Sequence, residues 1–185
     1  MTNIGVTGHR FLNDTKKLIK GVDSALEMIE KKFEAPYIFY SSLAEGADRL
    51  VAQRAFLRWE DVSLIVPLPL PIEDYMKDFE SLVSKAEFLN LLDLAEHIYV
   101  VAPEKPRDQA YAAAGEFILE VADVLVAIWD GEEPQGEGGT GYVVAKSREQ
   151  LLPLVWIHAG NRIPGTNISL SKGEMQGTVT LENFL

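Results

Sequence analysis

Short apolar runs alternate with helical stretches along nearly the whole chain, and this alternation restricts the fold more than any other feature of the sequence. Asn3–Gly8, Tyr37–Tyr40, Val62–Val66, His97–Val101, Val124–Trp129 and Leu154–Ile157 read as strands, rich in β-branched and aromatic residues. Between them lie segments with helical spacing. The clearest is 14–33, where Leu18, Val22, Leu26, Ile29 and Phe33 recur every three or four residues behind a cap at Asn13 or Asp14. Further helices are expected from Asp48 through Leu57, from about Asp74 to Leu94, from about Asp108 to Val121, and after Gly139. Pro67-Leu-Pro-Leu-Pro71 is expected to end the third strand, because proline cannot donate to a ladder. Repeated strand–helix–strand units build a mostly parallel sheet covered by helices on both faces, a three-layer α/β sandwich. Val124–Trp129, the most continuous apolar run, is expected near its centre.

A chain of 185 residues supplies one well-buried core. We expect one α/β domain over residues 1–162 and a tail over 163–185, which lacks periodicity and serves as an edge strand or docking segment. The net charge of −11 opposes non-specific binding to nucleic acid or to anionic membranes, so neither is expected as a partner. No apolar run approaches the roughly 20 residues of a membrane span, and no signal-peptide pattern is read at the N-terminus. Cysteine is absent, which excludes disulfides and thiolate metal sites and accords with a cytoplasmic location. The three histidines are scattered, so no metal site is expected; His97 and His158 read as structural. Self-association is left open.

Two strand exits carry the candidate chemistry. Asn3–Gly8 stops on a glycine followed by His9 and Arg10, and in an open parallel sheet ligands bind beyond the carboxyl ends of the strands. Glycine admits a sharp exit and close approach, while imidazole and guanidinium suit an anion. Trp129 is followed by Asp130 and a loop holding Gly136, Gly138, Gly139 and Thr140 before a helix. Free N–H groups and the positive helix end can hold phosphate there; the competing reading is a surface loop with Thr140 as N-cap. Arg107 stands at a third such loop, as a phosphate or ribose clamp or as a solvated cation. Ser41 and Ser42 suit a turn, Asp48 suits the first turn of a helix, and Tyr75 and Phe79 suit either a pocket wall or the core.

In order, Gly5-Val-Thr-Gly-His-Arg10, Ser41-Ser-Leu-Ala-Glu-Gly-Ala-Asp48, Arg107-Asp-Gln, and Trp129-Asp-Gly with Gly138-Gly-Thr140 resemble the SLOG superfamily, which joins the DNA-processing protein DprA to the LOG nucleotide phosphoribohydrolases. The resemblance runs from about residue 3 to 158 and implies a Rossmann-like sheet with a nucleotide-type ligand at its carboxyl edge. Candidate ligand-binding residues are then Gly8, His9, Arg10, Ser41, Ser42, Gly46, Arg107, Asp130, Gly138, Gly139 and Thr140. Where LOG enzymes carry a catalytic Glu, three residues after the Thr of their loop, this chain has Val143, and Glu137 replaces a loop glycine. The expectation is therefore a sensor or carrier of a nucleotide or ADP-ribose-like phosphate, with no catalytic residue assigned. The alternatives are a nucleoside monophosphate hydrolase and a scaffold that binds nothing.

Overall fold

The computed structural model describes residues 1–134 and 136–184. Its strands are β1 (Thr2–Gly8), β2 (Tyr37–Tyr40), β3 (Val62–Leu68), β4 (His97–Val100), β5 (Val124–Trp129), β6 (Leu154–His158) and β7 (Val179–Glu182). They form one sheet in the order β4-β3-β2-β1-β5-β6-β7, parallel except for β7, which pairs antiparallel with β6. The helices are α1 (Thr15–Lys32), α2 (Ala47–Arg58), the single turn α3 (Ile72–Tyr75), α4 (Leu82–Leu92), α5 (Arg107–Val121) and α6 (Thr140–Glu149). This is the Rossmann-like three-layer α/β architecture that the alternation implies.

The period of two along β5 divides the core. Val124, Val126 and Ile128 join a large apolar cluster with the buried faces of α1 and α2, whereas Leu125, Ala127 and Trp129 join a smaller one with α5 and α6. Every residue of β5 is buried, and β1 occupies the middle of the sheet beside it. The sequence from Arg162 onward contributes β7 at the edge.

Three local expectations are corrected. β3 does not stop at Val66 but runs through Pro67 to Leu68. In a parallel strand alternate residues face alternate neighbours; Leu68 O takes Val101 N–H from the β4 side, while Pro67 faces the side where β2 has already ended. Its carbonyl accepts the Ser42 hydroxyl at 2.7 Å, and the missing N–H has no ladder partner to lose.

The helix expected from Asp74 to Leu94 is broken. α3 and a 3-10 turn at Met76–Asp78 lead into an extended Phe79, and α4 starts afresh behind Ser81, whose Oγ accepts Ser84 N–H at 3.1 Å. Phe79 is drawn inward between Tyr75 and Phe88, each with its ring centroid 5.0 Å away, and the buried Arg49 guanidinium lies 4.5 Å over its ring. That aromatic packing outweighs helical continuity.

The start of α1 is placed correctly, yet no side chain caps it. Asp14 is left-handed and pairs with Lys17 at 3.0 Å, while Asn13 Oδ1 accepts Asp14 N–H.

Candidate functional site

The carboxyl ends of β1 and β5, the start of α6 and the loop after β6 enclose a cleft of about 460 Å³, a size that suits a small ligand. Of the residues singled out in the sequence, Gly8, His9, Arg10, Ser42, Asp130, Gly138, Gly139 and Thr140 line it. Ser41, Gly46 and Arg107 do not, and each has a different task.

Ser41 is fully buried and donates its hydroxyl to Asp48 Oδ2 at 3.0 Å. Gly46 has φ of +81°, and a Cβ there would collide with Arg10 O and lie 2.6 Å from His9 O. It therefore lets the start of α2 lie against the exit of β1, where Ala47 N–H bonds His9 O. Arg107 is half exposed and pairs with the Asp78 carboxylate, which also accepts the Tyr111 hydroxyl. Its guanidinium anchors the 3-10 turn.

Gly8 lines the cleft, but its need for a bare backbone has a second source. A Cβ there would collide with the Ala47 Cβ and stand 2.8 Å from Ile128 O, so packing of α2 and β5 already requires glycine. His9, nearly buried, closes the junction of the two strands: Nε2 accepts Asp130 N–H at 2.9 Å and lies 3.2 Å from Asp130 Oδ1. Burial alone would raise the Asp130 carboxyl, but the His9 ring and the Glu132 N–H outweigh it and hold it down at about 2. Asp130 is thus a fixed negative charge at neutral pH.

Arg10 is held by Glu45 at 2.5 Å and by the Asp78 carbonyl, and its Nε has no hydrogen-bond partner among the described residues. Burial works against the Glu45 charge, yet hydrogen bonds from Ser84, Arg10 and Glu80 N–H bring its pKa below the usual carboxylate value.

α6 begins at Thr140 with Gly139 as its N-cap, and no side chain caps it, so the competing reading of Thr140 as N-cap is not realised. The first N–H groups of a helix have no partner inside it, and Gly139, Thr140 and Gly141 line the cleft. A Cβ at Gly139 would meet nothing within 4 Å, whereas Gly138 has φ of +80° and a Cβ there would stand 2.8 Å from Ala112 N. Glu137 is exposed, does not line the cleft, and its charge is felt at Tyr142 instead. Val143, where the resemblance places a Glu, is buried in the cleft wall.

Four further residues line the cleft: the sequence offers Tyr75 as pocket wall or core and Asp48 as the first turn of a helix, and it gives no functional reading of Asn161 or Arg162. Asp48 is buried, and burial pushes its carboxyl up to about 7 against the Ser41 hydrogen bond that favours its charge. Tyr75, 1% exposed, is at once core and floor of the cleft. Asn161 and Arg162 follow β6, and Arg162 stacks on Phe11 at 4.8 Å without an ion pair among the described residues. The rule that ligands sit at carboxyl ends of strands points to this last loop. Among the described residues no cluster of metal-ligating side chains occurs, and no helix is long and apolar enough to cross a membrane.

No family model and no curated protein matches the chain. Among solved structures, DNA processing protein A (DprA) from Streptococcus pneumoniae is similar to it over 90% of this chain, at a TM-score of 0.54 and 14% identity. This chain spans 51% of that one, about half its length. A structural genomics target designated TM1055 is 14% identical over 83% of this chain and 72% of its own, at a TM-score of 0.49. At such identity the likeness to DprA is one of architecture alone, and the chain carries the Rossmann-like α/β fold expected from its alternating strands and helices.

Proposed function

We propose that the cleft binds a nucleotide or a nucleotide-derived phosphate, such as an ADP-ribose-like ligand, as a sensor or carrier. The observation that carries this reading is the uncapped start of α6, opening onto a half-open cleft at the carboxyl edge of the sheet. The first N–H groups of the helix and its positive dipole end favour a phosphate. Arg10 and the stacked Arg162 also line the cleft and add positive charge, and Asp130, Glu132 and Glu133 restrict the room for further anions. DprA is named for DNA processing, but a chain with net charge −11 has little means of neutralising a row of backbone phosphates. A small ligand needs only a focused site.

The test is mass spectrometry of small molecules released on denaturing the purified protein. A nucleotide or sugar phosphate in the supernatant, together with a thermal shift on adding it back, is the expected result. An empty supernatant and no thermal shift with any nucleoside monophosphate or ADP-ribose would sink the reading.

A second reading has one observation in its favour. Asp48 is a carboxyl poised near neutrality on the cleft floor, the property a general acid or base requires, while Val143 leaves the usual position empty of any such group. Release of free base from a nucleoside monophosphate, lost in Asp48→Asn, would make the protein a hydrolase.

A further inference from the structure

Tyr75 is the largest fully buried side chain, and its ring is gripped by Phe79, Phe88 and Tyr111 with centroids 5.0, 5.7 and 6.0 Å away. Its hydroxyl nevertheless has no hydrogen-bond partner among the described residues. Phenylalanine would fill the same core without leaving a polar atom unpaired, so the hydroxyl calls for an explanation outside packing. Tyr75 and Asp48 both line the cleft, and after burial itself the Asp48 charge is the largest influence on the Tyr75 hydroxyl. Tyr75 Oη is shielded from solvent yet unpaired, so the floor of the cleft holds a phenol with both donor and acceptor capacity within electrostatic reach of a carboxyl. Asp48 already accepts the Ser41 hydroxyl and backbone hydrogen bonds from Ala44 and Ser42, which sets its position before any ligand arrives.

We propose that Tyr75 Oη and the Asp48 carboxyl form an inner polar subsite that receives the vicinal hydroxyls of a pentose whose phosphate lies at the start of α6. This rests on the nucleotide reading above and extends it to the part of the ligand that the floor selects. A hydroxyl both donates and accepts, which is what a phenol and a carboxyl together can satisfy, whereas a second phosphate would meet a carboxylate. The small residues Ala44 and Ala114 also line the cleft, which leaves room for a sugar. In any nucleotide the pentose is the neighbour of the phosphate, so its hydroxyls are the first polar groups to follow the anion into the cleft.

Calorimetry with the four ribonucleoside 5′-monophosphates and their 2′,3′-dideoxy counterparts tests the assignment, using the full chain and its Tyr75→Phe variant. We expect a ribonucleotide to bind the parent about tenfold more tightly than its dideoxy form, and Tyr75→Phe to bind both at the weaker level. The variant's melting temperature should equal or exceed the parent's, since it loses only an unpaired hydroxyl; should it fail to fold, Asp48→Asn takes its place in the same comparison. Equal binding of the two forms by the parent, or a preference that survives in the variant, overturns the subsite and leaves the nucleotide reading standing. Binding of none of these ligands by the parent overturns the subsite, and a further failure to bind ADP-ribose overturns the nucleotide reading as well.

Discussion

His9 Nε2 and the backbone nitrogen of Asp130 stand 2.9 Å apart, a hydrogen bond between residues 121 positions apart that ties the exit of β1 to the exit of β5. The two loops that form the cleft thus share one hinge point.

Replacing His9 by alanine should cost about 1–2 kcal/mol, the usual loss when a partly buried N–H is left unpaired. For a chain of this size each kcal/mol lowers the melting temperature by roughly 2–4 °C. The same variant should show altered acid behaviour. The folded Asp130 carboxyl titrates at about 2, below its unfolded value, so its stabilisation is present above pH 4 and is lost as pH falls toward 2. Acid titration followed by circular dichroism should show a shallower loss over that range in His9→Ala.

Asp48 predicts the opposite slope. Its folded value of about 7 lies above the unfolded one, so its contribution is fully present below pH 4 and is lost as pH rises toward 7. Across that window the parent should lose up to about 1.4 kcal/mol per pH unit from this group. Asp48→Asn should remove this slope and be more stable than the parent at pH 8. Urea midpoints measured at pH 5, 6, 7 and 8 check this, and parallel curves for the two proteins would refute it.

The glycine loop separates ligand contact from folding. Gly139→Val should fold like the parent, since its Cβ enters open space, yet lose the thermal stabilisation that a bound nucleotide provides. Ligand at about 100 times its dissociation constant stabilises by roughly 2.7 kcal/mol, a readily measured shift. Gly138→Val should be destabilised without ligand, because left-handed backbone and the Ala112 backbone both oppose a side chain. A thermal-shift series on both variants, with and without nucleotide, distinguishes the two roles.

Two arginines should behave unlike one another. Arg107→Ala removes an ion pair to Asp78 outside the cleft and should change nucleotide affinity less than twofold. Arg162→Ala removes a cation that lines the cleft and should weaken binding by about tenfold, the size of one charge-assisted hydrogen bond. Calorimetric affinities for the two variants test the pair, and the reverse order would move the anion site toward α5.

The strand–helix alternation, the buried run Val124–Trp129 and the glycine-rich turn ahead of α6 are all legible in the chain because each is a local property. Period two, period 3.6 and glycine's freedom are decided by neighbours within a few residues. What depended on distant parts of the chain was hidden. Pro67 could remain in a strand only because β2 had ended beside it, and Phe79 broke a helical stretch only because Tyr75, Phe88 and Arg49 surround it. Ser41, Gly46 and Arg107 look like ligand contacts in their motifs, but the fold turns them toward Asp48, the β1 exit and Asp78. For Asp48 and Tyr75 the sequence leaves two readings open, helix start or ligand contact for one and core or pocket wall for the other. A carboxyl near neutrality and an unpaired phenol arise only from burial at one place, and burial is set by the whole tertiary structure around them.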